Sequence, residues 1–313
     1  MREQLGAQRR IQLVVWDPRP LLKLPYFFRL TVHAGVDTVW ICGFPFRQMN
    51  KEQKQSILKQ ASDAGLPTIG FIDGDYDWPQ QRKFVEYHYK DLTSQLTKLE
   101  LGNLHVAFAV NVEVYAIPAA KRVAGKSWNG DLSSYIDLLR DLVLPQLEVF
   151  ARKKVRPDGE SVVRMPLLIR FEPWWYRNGR PTEDGVPMYG LRPLNNTGLA
   201  AMTYRNTPDE IYTFSEIVRR RSMLERVPFY LGVETIPSAI SKTPSFAGRE
   251  ILIGEALSET CRRFSGEEME SFGGFFIHTK DPYEAYRILS ILVHGKKETP
   301  PVHRGRPPRI ITN

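Results

Sequence analysis

The sequence is poor in cysteine and has no long uninterrupted apolar run. Its 313 residues include only two cysteines, Cys42 and Cys261, which excludes a disulfide-stabilised scaffold and favours a cytoplasmic protein. No stretch approaches the roughly 18 consecutive apolar residues of a transmembrane helix. The short run IQLVVW near the start is not followed by a small-residue cleavage pattern. We therefore expect neither a membrane span nor a signal peptide.

Several motifs that mark cofactors and nucleophiles are also missing. There is no glycine-rich dinucleotide fingerprint, no P-loop and no Gly-x-Ser-x-Gly turn. Histidines such as His33 and His88 show no metal-ligand spacing. The segment DGDYDW, residues 73–78, holds three alternate acids like a calcium loop, but it lacks the distal glutamate of such loops. The sequence therefore predicts no cofactor, no metal and no serine-hydrolase triad.

Basic residues outnumber acidic ones, 43 Lys and Arg against 35 Asp and Glu, for a formal net charge of +8. Such an excess can attract nucleic acid, anionic lipid or an anionic substrate. The basic residues are scattered, however. The denser groups at 152–156 and 219–221 are typical of helix ends or exposed faces, where cations need no partner. This distribution argues against a nucleic-acid partner.

The end of the chain has a different composition from the rest. Residues 296–313 are rich in Pro and Arg and lack the apolar side chains that would offset the cost of ordering. We expect a single domain over residues 1–295 and a disordered tail over 296–313. A basic arm for nucleic acid is the alternative interpretation of the tail.

Short apolar runs alternate with helical stretches along most of the chain. Each run ends in a polar or aromatic cluster, and this alternation is typical of β/α units in a parallel sheet. The runs are IQLVVW, DTVWIC, PTIGFI, HVAFAVNVE, PLLIRFE, GLAAMTY, PFYLGVE and GGFFIH. Eight runs predict an α/β fold, a single (β/α)8 TIM barrel, which usually takes ~250 residues. An open, doubly wound sheet uses the same units and is the competing architecture.

Helix signals lie between the runs. Residues 51–65 end in a glycine stop, and Tyr135–Arg152 repeats apolar residues at helical spacing. Residues 207–227 and 281–295 each begin with a capping residue followed by proline. We therefore predict a helix in each of these four segments.

Polar side chains end nearly every predicted strand, and in a (β/α)8 barrel that edge carries the catalytic and binding groups. Long loops are predicted at the same edge, Trp175–Leu199 after the fifth strand and Pro237–Arg249 after the seventh. Burying so many carboxylates for stability alone would be costly. The predicted substrate-binding residues are Asp17, Asp73, Asp75, Asn111, Trp174, Trp175, Tyr204, Arg205 and His278.

Glu113 and Glu234 are the principal catalytic candidates, because they end the fourth and seventh strands, which face each other across a barrel mouth. One carboxyl group there can protonate a glycosidic oxygen while the other attacks or activates water. Asn111 shares the face of Glu113 by strand alternation. The alternative is that either glutamate forms a buried ion pair with Arg170 or Arg205.

Glu172 is a third catalytic candidate, in the sequence FEPWWY. A carboxylate beside Trp174 and Trp175 suits a sugar, because flat rings cover its C–H faces while carboxylates bind its hydroxyls. A hydrophobic lid on the barrel rim is the alternative. His278 ends the eighth strand, where it would orient a substrate, act as a base or simply pack at the rim.

The strand ends VVWDPRPLL, FIDGDYDW, VNVEVY, MTYRNT, LGVET and GFFIH, taken in order, resemble a group of glycosidase-like barrel proteins. In that group the fourth strand ends in Asp-x-Glu, the sixth in Met-x-Tyr-Arg-Asp and the seventh in Gly-x-Glu-Thr. The ends of the fourth and sixth strands are similar to those of chitinase-like family 18 barrels, which implies Glu113 as proton donor and Tyr204 as a substrate-holding residue. The glutamate pair is similar to clan A retaining glycosidases, which implies Glu113 as acid/base and Glu234 as nucleophile.

The sequence departs from that group at two acids, since Asn111 and Asn206 stand where carboxylates are typical, and Val114 stands where proline often follows. Losing two carboxylates would weaken or remove hydrolysis. We expect a glycosidase-like enzyme that acts on a sugar or glycosylated small molecule. The alternatives are a non-hydrolytic lyase, isomerase or cyclase in small-molecule biosynthesis, and a non-catalytic carbohydrate- or RNA-binding protein.

Overall fold

The computed structural model describes residues 11–74, 78, 81–111, 137–156, 159–172, 197–203, 205–236 and 245–294, with residues 164–172 described by their backbone only. Within this part of the chain, no helix combines the length and the apolar character that a membrane crossing requires.

Eight parallel strands form a closed barrel in which each strand pairs with its neighbours in chain order and the last pairs with the first. The strands are β1 (Ile11–Val15), β2 (Val36–Cys42), β3 (Thr68–Asp73), β4 (His105–Val110), β5 (Val163–Glu172), β6 (Thr197–Met202), β7 (Phe229–Glu234) and β8 (Phe272–Thr279). Each strand overlaps one of the eight predicted runs. The (β/α)8 barrel is therefore confirmed, and the open sheet is excluded because this sheet has no edge strand.

Helices cover the outside of the barrel. They are α1 (Phe27–His33), α2 (Gly43–Gln48), α3 (Lys51–Asp63), α4 (Arg82–Thr97), α5 (Leu144–Lys153), α6 (Pro208–Phe214), α7 (Glu216–Glu225), α8 (Ile253–Arg262), α9 (Gly266–Ser271) and α10 (Pro282–His294), with 3-10 turns at Arg19–Lys23 and Glu250–Leu252. The predicted loop Trp175–Leu199 lies outside the described residues, except for its last three residues, which belong to β6.

Capping residues fix where the helices begin. The Asn50 side chain accepts from the Gln53 amide ahead of α3, and the Gln53 side chain bonds back to the Asn50 amide. Thr207 caps α6 in the predicted manner, with Pro208 at the first helical position. These side chains satisfy amides that have no partner inside the helix.

Two predicted helices are interrupted. In the Tyr135–Arg152 segment a π-helical turn, Leu139–Val143, precedes α5. Pro145, near the start of α5, has no amide hydrogen to offer the preceding turn, which accounts for the wider turn there. The segment that begins at Thr207 divides into α6 and α7 at Ser215, whose hydroxyl bonds back to a carbonyl of α6 at 2.8 Å.

Apolar side chains fill two layers, one between strands and helices and one inside the barrel. The inner layer consists of Val14, Trp40, Ile72, Ala107, Ala109, Ala200, Tyr230 and Phe276. The rings of Trp40 and Tyr230 both pack against Phe276, and the alanines on β4 and β6 leave room for them, which keeps the interior packed. A Cβ atom at Gly70 would overlap the Trp40 ring, so this close contact requires glycine.

The arginines at 219–221 differ from the prediction of an exposed, unpaired face. Arg219 and Arg221 are 4% and 7% exposed, and they form ion pairs with Glu268 and Glu225. Only Arg220 of the three lies on the exposed side of α7. The prediction was wrong because a guanidinium group can be buried when a carboxylate accompanies it. By contrast, Arg152 and Lys153 do lie in the last turn of α5, as predicted.

Candidate active site at the barrel mouth

Side chains from opposite sides of the barrel meet above its inner core at the carboxyl ends of the strands. Trp16 follows β1, Met202 ends β6, and both pack against the inner cluster. Asn111 follows β4, and its Nδ2 lies 3.9 Å from Sδ of Met202. Because the carboxyl ends of parallel strands meet at one edge, these three side chains line the barrel mouth.

Glu234 and His278 add a carboxylate and an imidazole to the same mouth. The two residues pair in register on β7 and β8. The His278 ring lies 5.9 Å from the Trp16 ring, and its Nε2 would lie 3.4 Å from a Cβ atom at Gly232. Glu234 comes two residues after Gly232 and therefore has the same, inward orientation. Its side chain is half-buried.

His278 is held in its neutral form. The residue is 1% exposed, and burial lowers the pKa of its imidazole to about 3. A neutral ring can donate one hydrogen bond and accept another. With a pKa so far below neutrality it is a poor general base, which favours the orienting role among those considered for it.

Asp73 directs its carboxylate towards the helices and not into the barrel mouth. It ends β3, is 1% exposed, and its Oδ1 accepts from the Phe44 amide at 2.8 Å while its Oδ2 lies 3.0 Å from Nε2 of His88. A Cβ atom at Gly43 would overlap this carboxylate, so glycine there permits the approach. Asp73 therefore joins β3 to α2 and α4, and a substrate-binding role does not fit its place.

Cys42 borders the same carboxylate from the end of β2. Its Sγ lies 3.6 Å from Oδ1 of Asp73. Burial raises the pKa of the thiol, and the negative charge of Asp73 raises it further. The thiol therefore stays protonated and is unsuited to nucleophilic chemistry.

Asp17 and Arg205 are held by local partners. The carboxylate of Asp17 accepts two bonds of 2.8 Å from the Arg19 guanidinium, which holds the pKa of Asp17 below its ordinary value. The guanidinium of Arg205 lies 3.8 Å from the centre of the Phe214 ring. Both groups are partly exposed, and each keeps its charge in a fixed position.

The remaining predicted site residues are not tested by this geometry. Glu172 ends β5 and pairs in register with Ala201, and only its backbone is described. Outside the described residues lie Glu113, Asp75, Trp174, Trp175 and Tyr204. Their roles stay predictions. Among the described residues no group of three or more His, Cys, Asp or Glu is placed to hold a metal ion.

Three buried threonines at the mouth were missed from the sequence. Each donates its hydroxyl to a backbone oxygen of the next strand: Thr203 to Gly232 at 2.8 Å, Thr235 to His278 at 3.0 Å and Thr279 to Val14 at 2.8 Å. These bonds tie β6, β7, β8 and β1 together beside Glu234 and His278. The available signal was a threonine at the end of each of the last three runs.

A cleft of about 430 Å³ opens at the opposite end of the barrel, between Met223, Arg226, Glu267 and Glu270. It adjoins Pro228 and Ser271, which precede β7 and β8. In (β/α)8 barrels that end serves stability and the mouth carries function. We therefore place the candidate site at the mouth.

Comparison with solved structures identifies barrels of the same architecture. A GH5_18 protein from Streptomyces cattleya, solved with GlcNAc, is 13% identical over 87% of this chain and 71% of that chain, with a TM-score of 0.51. A GH18 chitinase from Pseudoalteromonas aurantia is 10% identical over 90% and 98%, with a TM-score of 0.48. A D-psicose 3-epimerase from Clostridium cellulolyticum is 15% identical over 87% and 85%, with a TM-score of 0.46. No protein-family model and no curated protein matches the sequence.

These identities are low, so the likeness concerns the fold alone. The Streptomyces cattleya structure is similar across most of both chains. The chain therefore has a glycosidase-like (β/α)8 fold, while the chemistry of its site has to be argued from its own residues.

Proposed function

We propose that the chain is a sugar-acting, glycosidase-like enzyme with its active site at the barrel mouth. The observation that carries this proposal is the meeting of Trp16, Asn111, Glu234 and His278 on the inward side of four strand ends. An aromatic face, an amide, a carboxylate and a neutral imidazole lie together there.

This set of groups suits a polyhydroxylated ligand. A sugar presents apolar C–H faces, which pack on an aromatic ring such as Trp16, and hydroxyls, which pair with neutral donors and acceptors. His278 in its neutral form can both donate and accept, and so can the Asn111 amide. Trp16, Asn111 and the neutral His278 carry no charge, which favours an uncharged sugar group beside them.

For the chemistry we propose Glu113 as the proton donor and Glu234 as the second carboxylate. Glu234 ends β7 on the inward side, which supports its part of this assignment. In such a pair one carboxyl group protonates the leaving oxygen, and the other attacks the sugar carbon or activates water. Asp17 and Arg205, whose charges are fixed by Arg19 and Phe214, are proposed to bind substrate at the periphery.

The proposal is tested by turnover of aryl glycosides. N-acetylglucosaminides come first in the panel, because the Streptomyces cattleya structure contains GlcNAc, and other neutral aryl glycosides follow. Glu113→Gln and Glu234→Gln should each lower kcat by ~10²–10⁴ while leaving thermal stability nearly unchanged. Glu267→Gln, an exposed position on α9, is the matched control and should retain full activity.

The products also separate the mechanisms, since retention of the anomeric configuration indicates a glutamate nucleophile and inversion indicates activated water. Failure of the wild-type protein to turn over any glycoside would overturn the hydrolytic assignment. Binding of a sugar without turnover would then indicate a binding protein, and rearrangement of a free sugar would indicate an isomerase. An active but strongly destabilised Glu234→Gln variant would make Glu234 a structural residue.

A further inference from the structure

Asn206, which follows β6, is hydrogen-bonded to the segment around Ser245 and Phe246, and that segment is in turn bonded to the end of β7. Its Nδ2 donates to the backbone oxygen of Ser245 at 2.9 Å. The next residue, Phe246, is fully buried and donates its amide to the backbone oxygen of Glu234 at 2.7 Å. A continuous path of two hydrogen bonds therefore runs from the Asn206 side chain to the backbone of Glu234.

We infer that Asn206 is a positioning residue for Glu234. This inference rests on the proposed function, in which Glu234 is one of the two reacting carboxylates. The backbone of Glu234 is set by its pairing with β8 and by the bond from Phe246, and Asn206 fixes the peptide that supplies that bond. Small errors in the position of a reacting group are costly, about 10²-fold for 1 Å.

The chemistry of the bond requires a hydrogen-bond donor at position 206. The Ser245 carbonyl can only accept, so its partner must donate. An ionised carboxylate has no proton to donate and would place a negative charge against the carbonyl oxygen. The glycosidase-like barrels that this sequence resembles typically have Asp at this position. Asn206 therefore supplies a donor that an ionised aspartate would lack.

Asn206→Asp tests this inference, because the introduced group changes its hydrogen-bonding capacity with pH. At neutral pH the carboxylate cannot donate, and we expect the Phe246 amide to exchange its hydrogen about tenfold faster or more, a typical effect of losing one hydrogen bond. As the pH falls and the introduced carboxyl becomes protonated, its O–H can donate again. Protection of Phe246 should then recover, after correction for the intrinsic exchange rate.

Two further variants complete the experiment. Asn206→Ala has no donor at any pH, so its faster exchange should persist across the whole range. Asn103→Asp makes the same chemical change at an exposed position before β4 and should leave Phe246 exchange unaltered. In turnover, Asn206→Asp should lower kcat roughly tenfold at neutral pH with a smaller change in KM, and kcat relative to wild type should recover toward acidic pH.

The two readouts distinguish failure of this inference from failure of the proposed function. Unchanged exchange of Phe246 in both Asn206 variants would overturn the inference even if glycosides are hydrolysed. Faster turnover by Asn206→Asp at neutral pH would also overturn it, because position 206 would then favour an acid over a positioning donor. If no glycoside is turned over by the wild type, the proposed function fails, and hydrogen exchange alone decides whether Asn206 holds the Glu234 backbone.

Discussion

Nε2 of His88 lies 3.0 Å from Oδ2 of Asp73, and both side chains are buried. The pair joins α4 to the end of β3, and the amide of Phe44 adds α2 through the other carboxylate oxygen. The rings of Phe44 and Trp78 both contact the His88 ring, at 6.4 and 5.6 Å between ring centres. Asp73 therefore joins three elements through a carboxylate that is itself buried.

Removing this carboxylate should destabilise the barrel. Asp73→Ala leaves the Phe44 amide and the buried His88 imidazole without their acceptor, and we expect a loss of about 3–5 kcal/mol in the free energy of unfolding. Asp73→Asn should cost less, since its oxygen still accepts from the Phe44 amide and its side chain still offers a hydrogen-bonding group to His88. Urea unfolding at neutral pH measures the difference.

Asp63→Ala is the matched control for that comparison. Asp63 pairs with Lys59 on the exposed side of α3, with its side chain 56% exposed, and such pairs contribute about 0–1 kcal/mol. Equal urea midpoints for Asp73→Ala and Asp63→Ala would contradict the structural role. A substrate-binding role for Asp73 would instead appear as lost affinity with unchanged stability.

The barrel itself was predictable because each buried strand is a nearly continuous apolar run, and each run forms part of a strand in the structure. The direction in which a side chain points at a strand end was not predictable. Asp73 is the last residue of β3 and faces the helices, whereas Asn111 is one residue beyond the end of β4 and faces the barrel. A change of one position reverses the face, and the sequence does not mark where strand geometry stops.

Buried charge was the other feature that the sequence concealed. Arg219 lies within a run of three arginines that is typical of an exposed face, and its partner Glu268 lies 49 positions away. The guanidinium also lies 3.9 Å from the centre of the Tyr212 ring. Such a pairing depends on how α7 packs against α9, which no local pattern reports. The same limitation applies to Asn206, whose partner Ser245 lies in a different loop.

Arg219→Ala and Arg220→Ala make the same change at adjacent positions of α7. Arg219→Ala strands the buried Glu268 carboxylate, so we expect a loss of about 3–5 kcal/mol. Arg220 pairs with Glu216 in solvent, with its side chain 44% exposed, and Arg220→Ala should change stability by about 0.5 kcal/mol or less. Thermal or urea unfolding of the two variants gives the comparison, and similar losses in both would refute a buried pair at Arg219.

Gly70→Ala tests the packing of the barrel interior. The added methyl group would overlap the Trp40 ring, whose indole N–H is fixed by a 2.6 Å bond to Gln12. We expect a loss of about 1–3 kcal/mol, the usual cost of overpacking a core. Gly266→Ala adds the same methyl group to open space at the start of α9 and should be neutral. Equal stability of the two variants would show that Trp40 can move aside.

The last prediction concerns the pH dependence that His278 gives to folding. Burial lowers its pKa to about 3 in the folded protein, whereas an unfolded chain has the ordinary value of about 6.5. Between these two values the unfolded state binds a proton that the folded state does not. The free energy of unfolding therefore falls by about 1.4 kcal/mol for each pH unit below the ordinary pKa. Above the ordinary pKa this titration costs no stability.

His278→Gln removes the titrating group and keeps a neutral side chain that can donate and accept hydrogen bonds. Stability of the wild type should decline from pH 6.5 towards pH 4 more steeply than that of the variant, whose remaining decline reports the other titrating groups. Urea unfolding of both proteins at several pH values in this interval provides the two curves. Any packing lost in the variant lowers its stability by the same amount at every pH. The comparison therefore rests on the slopes of stability against pH and not on the absolute values. Parallel curves would show that His278 accepts a proton in the folded barrel at its ordinary pKa, and the neutral imidazole proposed to bind a sugar hydroxyl would then be a cation in mild acid.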